Sequence, residues 1–230
     1  MRKSDINALD GRKVTPLYHA ISANCLECAK VLIANKAEIN LRSSNGNLLH
    51  AAADYPTAEP LKFVLPYKLD VNARDDDGFT PLMEAARRGY RHDDESVQLL
   101  IANQADVTLK NKKGQTALHL AAERWSAGAI QMLLAKNMDV NARDGDGNTP
   151  LLLLAAGSSS GSTYTLEETV KALLDAKADV NAQNNLGETA LFRACKREMS
   201  ELVQILLANK ANRDLKTRDG QSPSCSPDAR

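Results

Sequence analysis

The sequence lacks three features that would assign it to a membrane, a nucleic-acid surface or a disulfide scaffold. Its longest purely apolar run, 151–156, is six residues, whereas a membrane-spanning helix needs roughly 20. It carries no excess of either charge, with 29 Lys and Arg against 29 Asp and Glu, so we expect no membrane insertion and no nucleic acid as its main partner. Four cysteines in 230 residues are too few for a disulfide scaffold and suit a reducing compartment.

What remains is the composition of an ordinary globular chain. With 25% charged and 43% hydrophobic residues, the sequence is neither a disordered nor a collagen-like one. Residues 1–5 carry charge with no apolar stretch behind them, so we expect no secretory signal and a cytoplasmic location.

Internal repeats are the strongest signal in the chain. One phrase, Thr-Pro-Leu or a close variant, recurs at 15–17, 48–50, 80–82, 116–119, 149–151 and 189–191. A second phrase of the Asp-Val-Asn type follows a short apolar segment each time, at 38–40, 70–72, 106–108, 139–141 and 179–181. Successive copies of the first phrase, extended to Ser222, are spaced by 32, 33, 36, 33, 40 and 33 residues. The base period is therefore near 33 residues.

This pattern resembles the ankyrin repeat, most closely at 111–143, and the resemblance covers about 5–223. It implies an all-α fold, an ankyrin-repeat solenoid of helix-turn-helix units joined by β-hairpin loops, with about six full repeats plus partial flanking units. We expect an ankyrin repeat domain at 1–221 and a disordered tail at 222–230. The repeats are predicted at 10–42, 43–74, 75–110, 111–143, 144–183 and 184–216.

Helix starts can be predicted from the residues themselves. Thr15, Thr80 and Thr149 each precede a proline, which is the order of an N-cap hydroxyl followed by a residue that needs no backbone donor. Each unit is too thin to bury its own apolar face, so stability should come from stacking of neighbours. His50 and His119 occupy the usual histidine position of the family, which the resemblance implies braces the hairpin by hydrogen bonds.

Several positions depart from the family pattern. The residue after the second helix, usually glycine, is Lys36, Lys68, Gln104, Asn137, Lys177 or Lys210. Either these residues take the left-handed conformation at a cost on the order of 1–2 kcal/mol, or the preceding Asn35, Asn103 and Asn209 do. The second repeat is rich in proline, so its second helix should be short or irregular. Extra residues within 89–96 and 157–166 should form loops between the helices of their repeats.

No segment carries a complete catalytic or metal-binding motif. The run 157–161 matches the Gly-x-Ser-x-Gly pattern, but a helix rather than a strand precedes it, so a flexible loop is favoured over a hydrolase built on Ser159. The run 144–148 begins like a calcium loop and lacks its downstream glycine and glutamate. The acidic run 92–95 is interpreted as solvated charge, and 25–28 as structural or incidental cysteines. We therefore expect no catalytic residue, no metal and no cofactor.

The resemblance implies a non-enzymatic protein-protein interaction scaffold that binds a partner protein through a concave surface of hairpin tips and first helices. The repeat register assigns to this surface Tyr55, Asp76, Asp77, Phe79, Arg87, Arg88, Lys112, Lys113, Glu123, Arg124, Asp146 and Asn148. Charge alternates along the tips, so the partner should carry its own alternating pattern. Phe79, Tyr55 and Trp125 are candidate aromatic anchors, although Trp125 is equally suited to packing under the neighbouring insertion. For each residue the alternative is a merely solvated face.

Two further interpretations remain. The same features suit a targeting or regulatory ankyrin region of a larger enzyme or signalling protein. In the last repeat, 202–206 reads as an interior helix rather than a polar cap. We therefore expect this end either to continue into a longer array or to pack on something, which includes end-to-end self-association with a second copy.

Overall fold

A computed structural model describes residues 5–88, 94–157 and 163–225. The chain forms two compact units, unit 1 at 1–112 and unit 2 at 113–230. The described residues contain helices and turns, with a single isolated bridge between Ser43 and Gly46 and no strand. The all-α class predicted from the repeats is confirmed.

The described part of unit 1 holds three helix pairs. They are α1 (Pro16–Ser22) with α2 (Leu26–Ala34), α3 (Leu48–Ala53) with α4 (Glu59–Val64), and α5 (Pro81–Arg88) with α6 (Glu95–Ala102). The first helix of each pair packs on the next, α1 on α3 and α3 on α5. Leu17, Leu49 and Leu82, one from each of these helices, are 1% exposed. The core of unit 1 therefore runs along the stacked first helices.

The described part of unit 2 repeats the arrangement. Its pairs are α7 (Ala117–Glu123) with α8 (Ala127–Leu134), α9 (Pro150–Ala156) with α10 (Thr163–Asp175), and α11 (Ala190–Lys196) with α12 (Ser200–Ala208). Here α7 packs on α9 and α9 on α11, while α10 contacts both α8 and α12. Leu118, Leu151 and Leu191 are at most 1% exposed. Stacking of thin helix pairs thus builds each core, as in other solenoids.

Helix starts follow the predicted caps. The Thr15 hydroxyl accepts a hydrogen bond from the Tyr18 amide at 3.1 Å, and the Thr149 hydroxyl accepts one from the Leu152 amide at 3.4 Å. Proline occupies the first helical turn after both. The predicted order of threonine cap and proline is therefore confirmed.

The histidines brace one repeat against the next. His50 Nδ1 accepts from the Asn47 amide at 3.1 Å, and its Nε2 donates to the Phe79 carbonyl at 3.0 Å. His119 Nε2 lies 3.1 Å from the Asn148 carbonyl in the same way. Because both histidines are buried, each ties the cap of its own helix to the hairpin of the following repeat, as the resemblance implied.

The loops between repeats are hairpin turns joined by single backbone hydrogen bonds. In unit 1 the Asp76 amide donates to the Ser44 carbonyl at 2.9 Å, and the Lys112 amide donates to the Asp77 carbonyl at 3.0 Å. In unit 2 the Asn185 amide donates to the Asp146 carbonyl at 2.9 Å. Single bonds of this kind align the tips without forming a strand ladder, and the first two tips are joined instead by the Ser44 hydroxyl, which donates to the Arg12 carbonyl at 3.2 Å.

The residue that takes the left-handed conformation after each second helix is the one at the glycine position. Positive φ angles of 53 to 70° occur at Lys36, Lys68, Gln104, Asn137, Lys177 and Lys210. The preceding Asn35 and Asn103 both have φ of −92°, and their side chains donate to carbonyls four residues earlier. The strained alternative is therefore the correct one.

Proline and the insertions shape the remaining segments. In the second repeat α4 has only six residues, with Pro60 in its first turn, and continues as a 3-10 helix at Leu65–Tyr67. The predicted irregular helix is confirmed. The insertions at 89–96 and 157–166 lie partly outside the described residues, as does the acidic run 92–95, and Ser159 lies wholly outside them.

The structure pairs all four cysteines, which favours the structural over the incidental interpretation of 25–28. Cys25 is joined to Cys28 at the start of α2, and Cys195 on α11 is joined to Cys225 in the C-terminal segment. Their Cα atoms are 5.2 and 4.9 Å apart, within the range of disulfides. The second pair brings 223–225 to the edge of a hollow of about 560 Å³ beside α11 and α12.

The last helix, α12, buries part of the apolar run that the sequence places there. Leu202 and Leu206 are fully buried, whereas Val203 is half-buried and lines the hollow together with Pro223. The predicted disordered tail is described only as far as residue 225. Disorder of the tail and self-association through this end stay predictions.

Candidate functional site

The predicted binding residues divide between the two units. In unit 1, Asp76, Asp77 and Lys112 are exposed at the hairpin tips, and Tyr55, Phe79, Arg87 and Arg88 are half-buried beside them. In unit 2, Lys113, Arg124 and Asp146 are exposed and Glu123 is half-buried, whereas Asn148 is buried. The predicted residues are thus exposed or half-buried, with Asn148 as the exception.

An ion cluster joins the ends of two neighbouring first helices in unit 1. Asp54 caps the C-terminus of α3, and Arg87 and Arg88 lie in the last turn of α5. Both Asp54 oxygens pair with Arg88, and Arg87 Nη2 lies 3.4 Å from Asp54 Oδ1. The three side chains remain 33 to 39% exposed. The cluster is therefore ordered by its own contacts and still reachable from solvent.

Glu84 and Phe79 complete this surface. Glu84 Oε2 lies 2.5 Å from Arg87 Nη2, and the Arg87 guanidinium sits 5.7 Å from the centroid of the Phe79 ring. Burial raises the pKa of Glu84, which the adjacent Arg87 opposes. A guanidinium held between a carboxylate and an aromatic face has lost much of its freedom before any partner arrives.

Tyr18 lies on α1, the first helix of unit 1, and is influenced by the charges of this ion cluster. Its hydroxyl donates to the Asn45 carbonyl at 3.2 Å. Burial, together with the negative charges of Asp54 and Glu84, raises its pKa, so the phenol stays protonated and acts as a hydrogen-bond donor. Sequence reasoning missed both Tyr18 and Glu84. A signal was available, because they lie three and four residues after capping threonines.

Asn148 does not belong to the exposed surface, and its assignment there is wrong. It is 5% exposed, and its Oδ1 accepts hydrogen bonds from Arg193 Nη2 at 2.8 Å and from Asn184 Nδ2 at 3.0 Å. Arg193 also donates to Glu188 Oε2 at 2.9 Å and to the Leu152 carbonyl at 3.0 Å. The Asn148 side chain is therefore part of a buried hydrogen-bond network of unit 2 and is not available to a partner.

Trp125 is also a structural residue. Its side chain is 9% exposed, and its Nε1 donates to the Leu154 carbonyl at 3.0 Å. Its own carbonyl accepts from the Thr169 hydroxyl at 3.1 Å. Of the two interpretations, packing is correct, and the indole is unavailable as an exposed anchor.

The described part of the chain holds neither a cluster of metal ligands nor a helix suited to span a membrane. No three His, Cys, Asp or Glu side chains converge among them as metal ligands would. None of the helices they form combines the length and apolarity needed to cross a bilayer. The run 144–148 is a hairpin tip in which Asp144 Oδ1 accepts from the amides of Asp146 and Asn148. The aspartate that resembles the first ligand of a calcium loop therefore stabilises a turn.

Comparison with known families assigns the fold. The model described as "Ankyrin repeats (3 copies)" matches 37–108, 82–166 and 159–225, and "Ankyrin repeats (many copies)" matches 2–52. The chain belongs to the ankyrin-repeat family. Ankyrin repeats are generally protein-interaction modules and are typically non-catalytic.

Among curated proteins, the chain is similar to two kinds of relative. It is 35% identical over 172 residues to neurogenic locus notch homolog protein 1 of Mus musculus, and 34% identical to the Homo sapiens protein. This alignment covers 67% of the chain and 5% of the relative. It is 38% identical over 87 residues to protein phosphatase 1 regulatory subunit 12A of Mus musculus, covering 38% of the chain and 8% of that protein. The chain thus corresponds to a small part of each relative.

Proposed function

We propose that this chain is a protein-interaction scaffold that contacts its partner through the hairpin tips and first helices of unit 1. The observation that carries the proposal is the cluster of Asp54 with Arg87 and Arg88, adjacent to the ring of Phe79. Arginine and aromatic residues are the side chains most enriched at energetic hot spots of interfaces. Here they are neighbours on one ordered surface.

The geometry favours binding because the arginines are already positioned. A free surface arginine loses rotamer freedom when a partner immobilises it, at roughly 0.5–1.5 kcal/mol per side chain. Arg88 is held by both oxygens of Asp54, and Arg87 by Glu84 and Asp54. Both side chains remain about a third exposed, so a partner's carboxylates or carbonyls can reach the two guanidinium groups.

The exposed tip residues supply a charged rim around this cluster. In unit 1 the tips carry Asp76 and Asp77 and then Lys112, so the rim changes sign along the row. Rim charges mainly set the rate and selectivity of association. We propose Tyr55 as a further contact of unit 1, and Lys113, Glu123, Arg124 and Asp146 as contacts of unit 2.

The test is a variant that removes the arginines and keeps the fold. A photo-crosslinking amino acid at Phe79 is used to capture and identify the partner from the source cell. Affinity for that purified partner is then measured by calorimetry for wild type and for Arg87→Ala/Arg88→Ala. Loss of both preformed donors should weaken binding at least about tenfold.

A matched control lies on α2 of the same unit. Glu27 and Lys30 form an exposed ion pair at 2.6 Å, and Glu27→Gln/Lys30→Gln removes charges without touching the cluster. We expect this variant to bind as wild type does. Equal weakening by both double variants, or full binding by Arg87→Ala/Arg88→Ala, would reject the proposed surface.

A second candidate is that the chain acts as a targeting or regulatory ankyrin region within a larger protein. It is favoured by the small share, 5 and 8%, that the matched region represents in the two kinds of relative. An immunoblot of the source cell with an antibody to unit 2 tests it. A band well above 24.9 kDa supports the larger protein, whereas a single band at that mass rejects it.

A further inference from the structure

A shallow hollow of about 470 Å³, open to solvent over most of its extent, lies among the first hairpin tips of unit 1, and the described residues on its border include three cations. Arg12 and Lys13 come from the first tip, and Arg42 precedes the second. Among the described residues on its border, Asp76 is the single carboxylate, beside the small residues Gly11, Ser43 and Ser44. The formal charge around the hollow is therefore positive, although the whole chain is neutral.

Little within the described residues neutralises this charge. Arg42 Nη2 lies 3.9 Å from Asp76 Oδ1, and the two side chains are 58 and 69% exposed, so their interaction is weak. The ion pairs of the described residues do not include Arg12 or Lys13. Two cations of the hollow are thus left to solvent.

The nearest carboxylate in sequence, Asp10, is committed to the turn itself. Its Oδ1 accepts from the amides of Arg12 at 2.8 Å and Val14 at 2.9 Å. Its Oδ2 lies 2.8 Å from His19 Nε2. Asp10 therefore shapes the first tip and pairs with His19, rather than with the cations that the tip presents.

Lys13 holds its place at an energetic cost. It has φ of 59°, in the left-handed region. Glycine occupies that conformation in the other tips, at Gly46, Gly78, Gly114, Gly147, Gly187 and Gly220. Glycine adopts it without the clash that a Cβ introduces. The first tip therefore carries a charged side chain at a position where glycine would be less strained.

We propose that this hollow binds an acidic peptide segment of the partner protein, with its carboxylates on Arg12, Lys13 and Arg42. The inference rests on the proposed function and names the chemistry of its partner at the first two tips. A nucleic acid fits less well because its phosphates need a continuous basic track, whereas the third tip carries Asp76 and Asp77. A peptide can place acidic side chains on the hollow and a neutral or basic one beside these carboxylates.

The test uses Lys13→Gly and a matched variant, Lys36→Gly. Both lysines are exposed and left-handed in unit 1, so each change removes one positive charge and the same backbone strain. Only Lys13 borders the hollow. The probe is a fluorescent peptide of alternating Glu and Gly, with a Gln and Gly peptide as its neutral counterpart, and binding is followed by anisotropy at low ionic strength.

We expect Lys13→Gly to weaken binding of the Glu peptide about fivefold while raising the midpoint of thermal unfolding. Lys36→Gly should raise the midpoint similarly and leave affinity unchanged. Weakening by a variant that is more stable than wild type excludes damage to the fold as the cause.

Three results would overturn the inference. They are equal weakening by Lys36→Gly, no preference for the Glu peptide over the Gln peptide, and binding of a single-stranded oligonucleotide of equal charge as tightly as the Glu peptide. None of these depends on the natural partner. The proposed function fails separately, if Arg87→Ala/Arg88→Ala keeps full affinity for the captured protein.

Discussion

Glu84 in unit 1 and Arg193 in unit 2 occupy the same place in their repeats, four residues after the threonine that precedes the helix. Around Glu84, the side chains of Asp54 and Arg87 remain 38 and 39% exposed. Arg193 and its partner Glu188 are only 15 and 16% exposed. Glu84 itself is only 12% exposed, so this helix position is largely buried in both units, and the difference lies in how accessible its partners are.

The difference lies in what each side chain reaches. Glu84 pairs with Arg87, three residues later on its own helix, and that arginine remains 39% exposed. Arg193 instead donates to the Leu152 carbonyl and to Asn148, both in the preceding repeat. Arg193, which satisfies buried backbone and amide groups, is held for stability, whereas Arg87 stays accessible to a partner although its carboxylate partner on the same helix is buried.

The largest expected effect comes from breaking the buried network. Arg193→Ala removes the charged donor of Glu188 and Asn148, which among the described residues keep only the Asn184 amide as a side-chain donor, and removing one member of a buried pair typically costs 3–5 kcal/mol. Since Arg193 is 15% exposed, we expect a loss of about 3 kcal/mol in the free energy of unfolding, measured by urea denaturation. The exposed Arg124→Ala in the same unit should change it by less than about 0.5 kcal/mol. A loss below about 1 kcal/mol for Arg193→Ala would remove the contrast between the units.

The corresponding change in unit 1 should separate binding from stability. Arg88→Ala removes a half-exposed pair with Asp54, and such pairs contribute about 0.2–1 kcal/mol. A double-mutant cycle with Asp54→Ala, followed by urea denaturation, should give a coupling energy of that size. A coupling above about 2 kcal/mol would mean that the cluster is as structural as the network of unit 2.

Each unit contains a left-handed lysine after a second helix, and replacing it with glycine should change the free energy of unfolding by a smaller amount. Lys68 and Lys177 have φ of 53 and 70°, a conformation that costs a non-glycine residue roughly 1–2 kcal/mol. Glycine avoids this cost, but it loses more conformational entropy than lysine on folding, which offsets part of the gain. Lys68→Gly and Lys177→Gly should each raise the free energy of unfolding by about 0.5–1 kcal/mol. Differential scanning calorimetry checks both. Destabilisation of either variant would show that its lysine makes a compensating contact.

Acid should weaken the histidine brace of unit 1. Burial lowers the pKa of His50 from its ordinary value of 6.5, so the folded state holds it neutral. The stability that this brace contributes is present above pH 6.5 and is lost as the pH falls from there through the folded pKa. An NMR titration of the His50 ring measures the shift directly. The fall in stability on acidification should be shallower in His50→Gln, and an unchanged slope would contradict the assignment.

Much of the fold could be predicted because its signals are local. A threonine hydroxyl caps an amide two or three residues away, and proline sets its own φ, so helix starts after Thr15 and Thr149 follow from short windows of sequence. The irregular second helix of the second repeat also followed from its prolines. Which residue takes the left-handed turn did not, since either Asn35 or Lys36 satisfies the same local pattern.

The candidate site was harder to predict because its contacts join distant residues. Asn148 was assigned to the surface from its place in a tip, yet the groups that bury it come from Asn184 and Arg193, 36 and 45 residues away. Trp125 likewise donates its indole hydrogen bond to the carbonyl of a residue 29 positions later in the chain. Register alone identifies the side of a repeat on which a residue lies, but not whether a neighbouring repeat covers it.

The sequence by itself determined the repeat period, the family, the helix starts and the histidine braces, because each depends on residues within a turn or on a pattern that recurs through the chain. Only the tertiary structure decided which charges are accessible. Asp54, Arg87 and Arg88 form an open cluster, while Asn148 and Arg193 are enclosed, because exposure depends on side chains that a neighbouring repeat brings within hydrogen-bond distance.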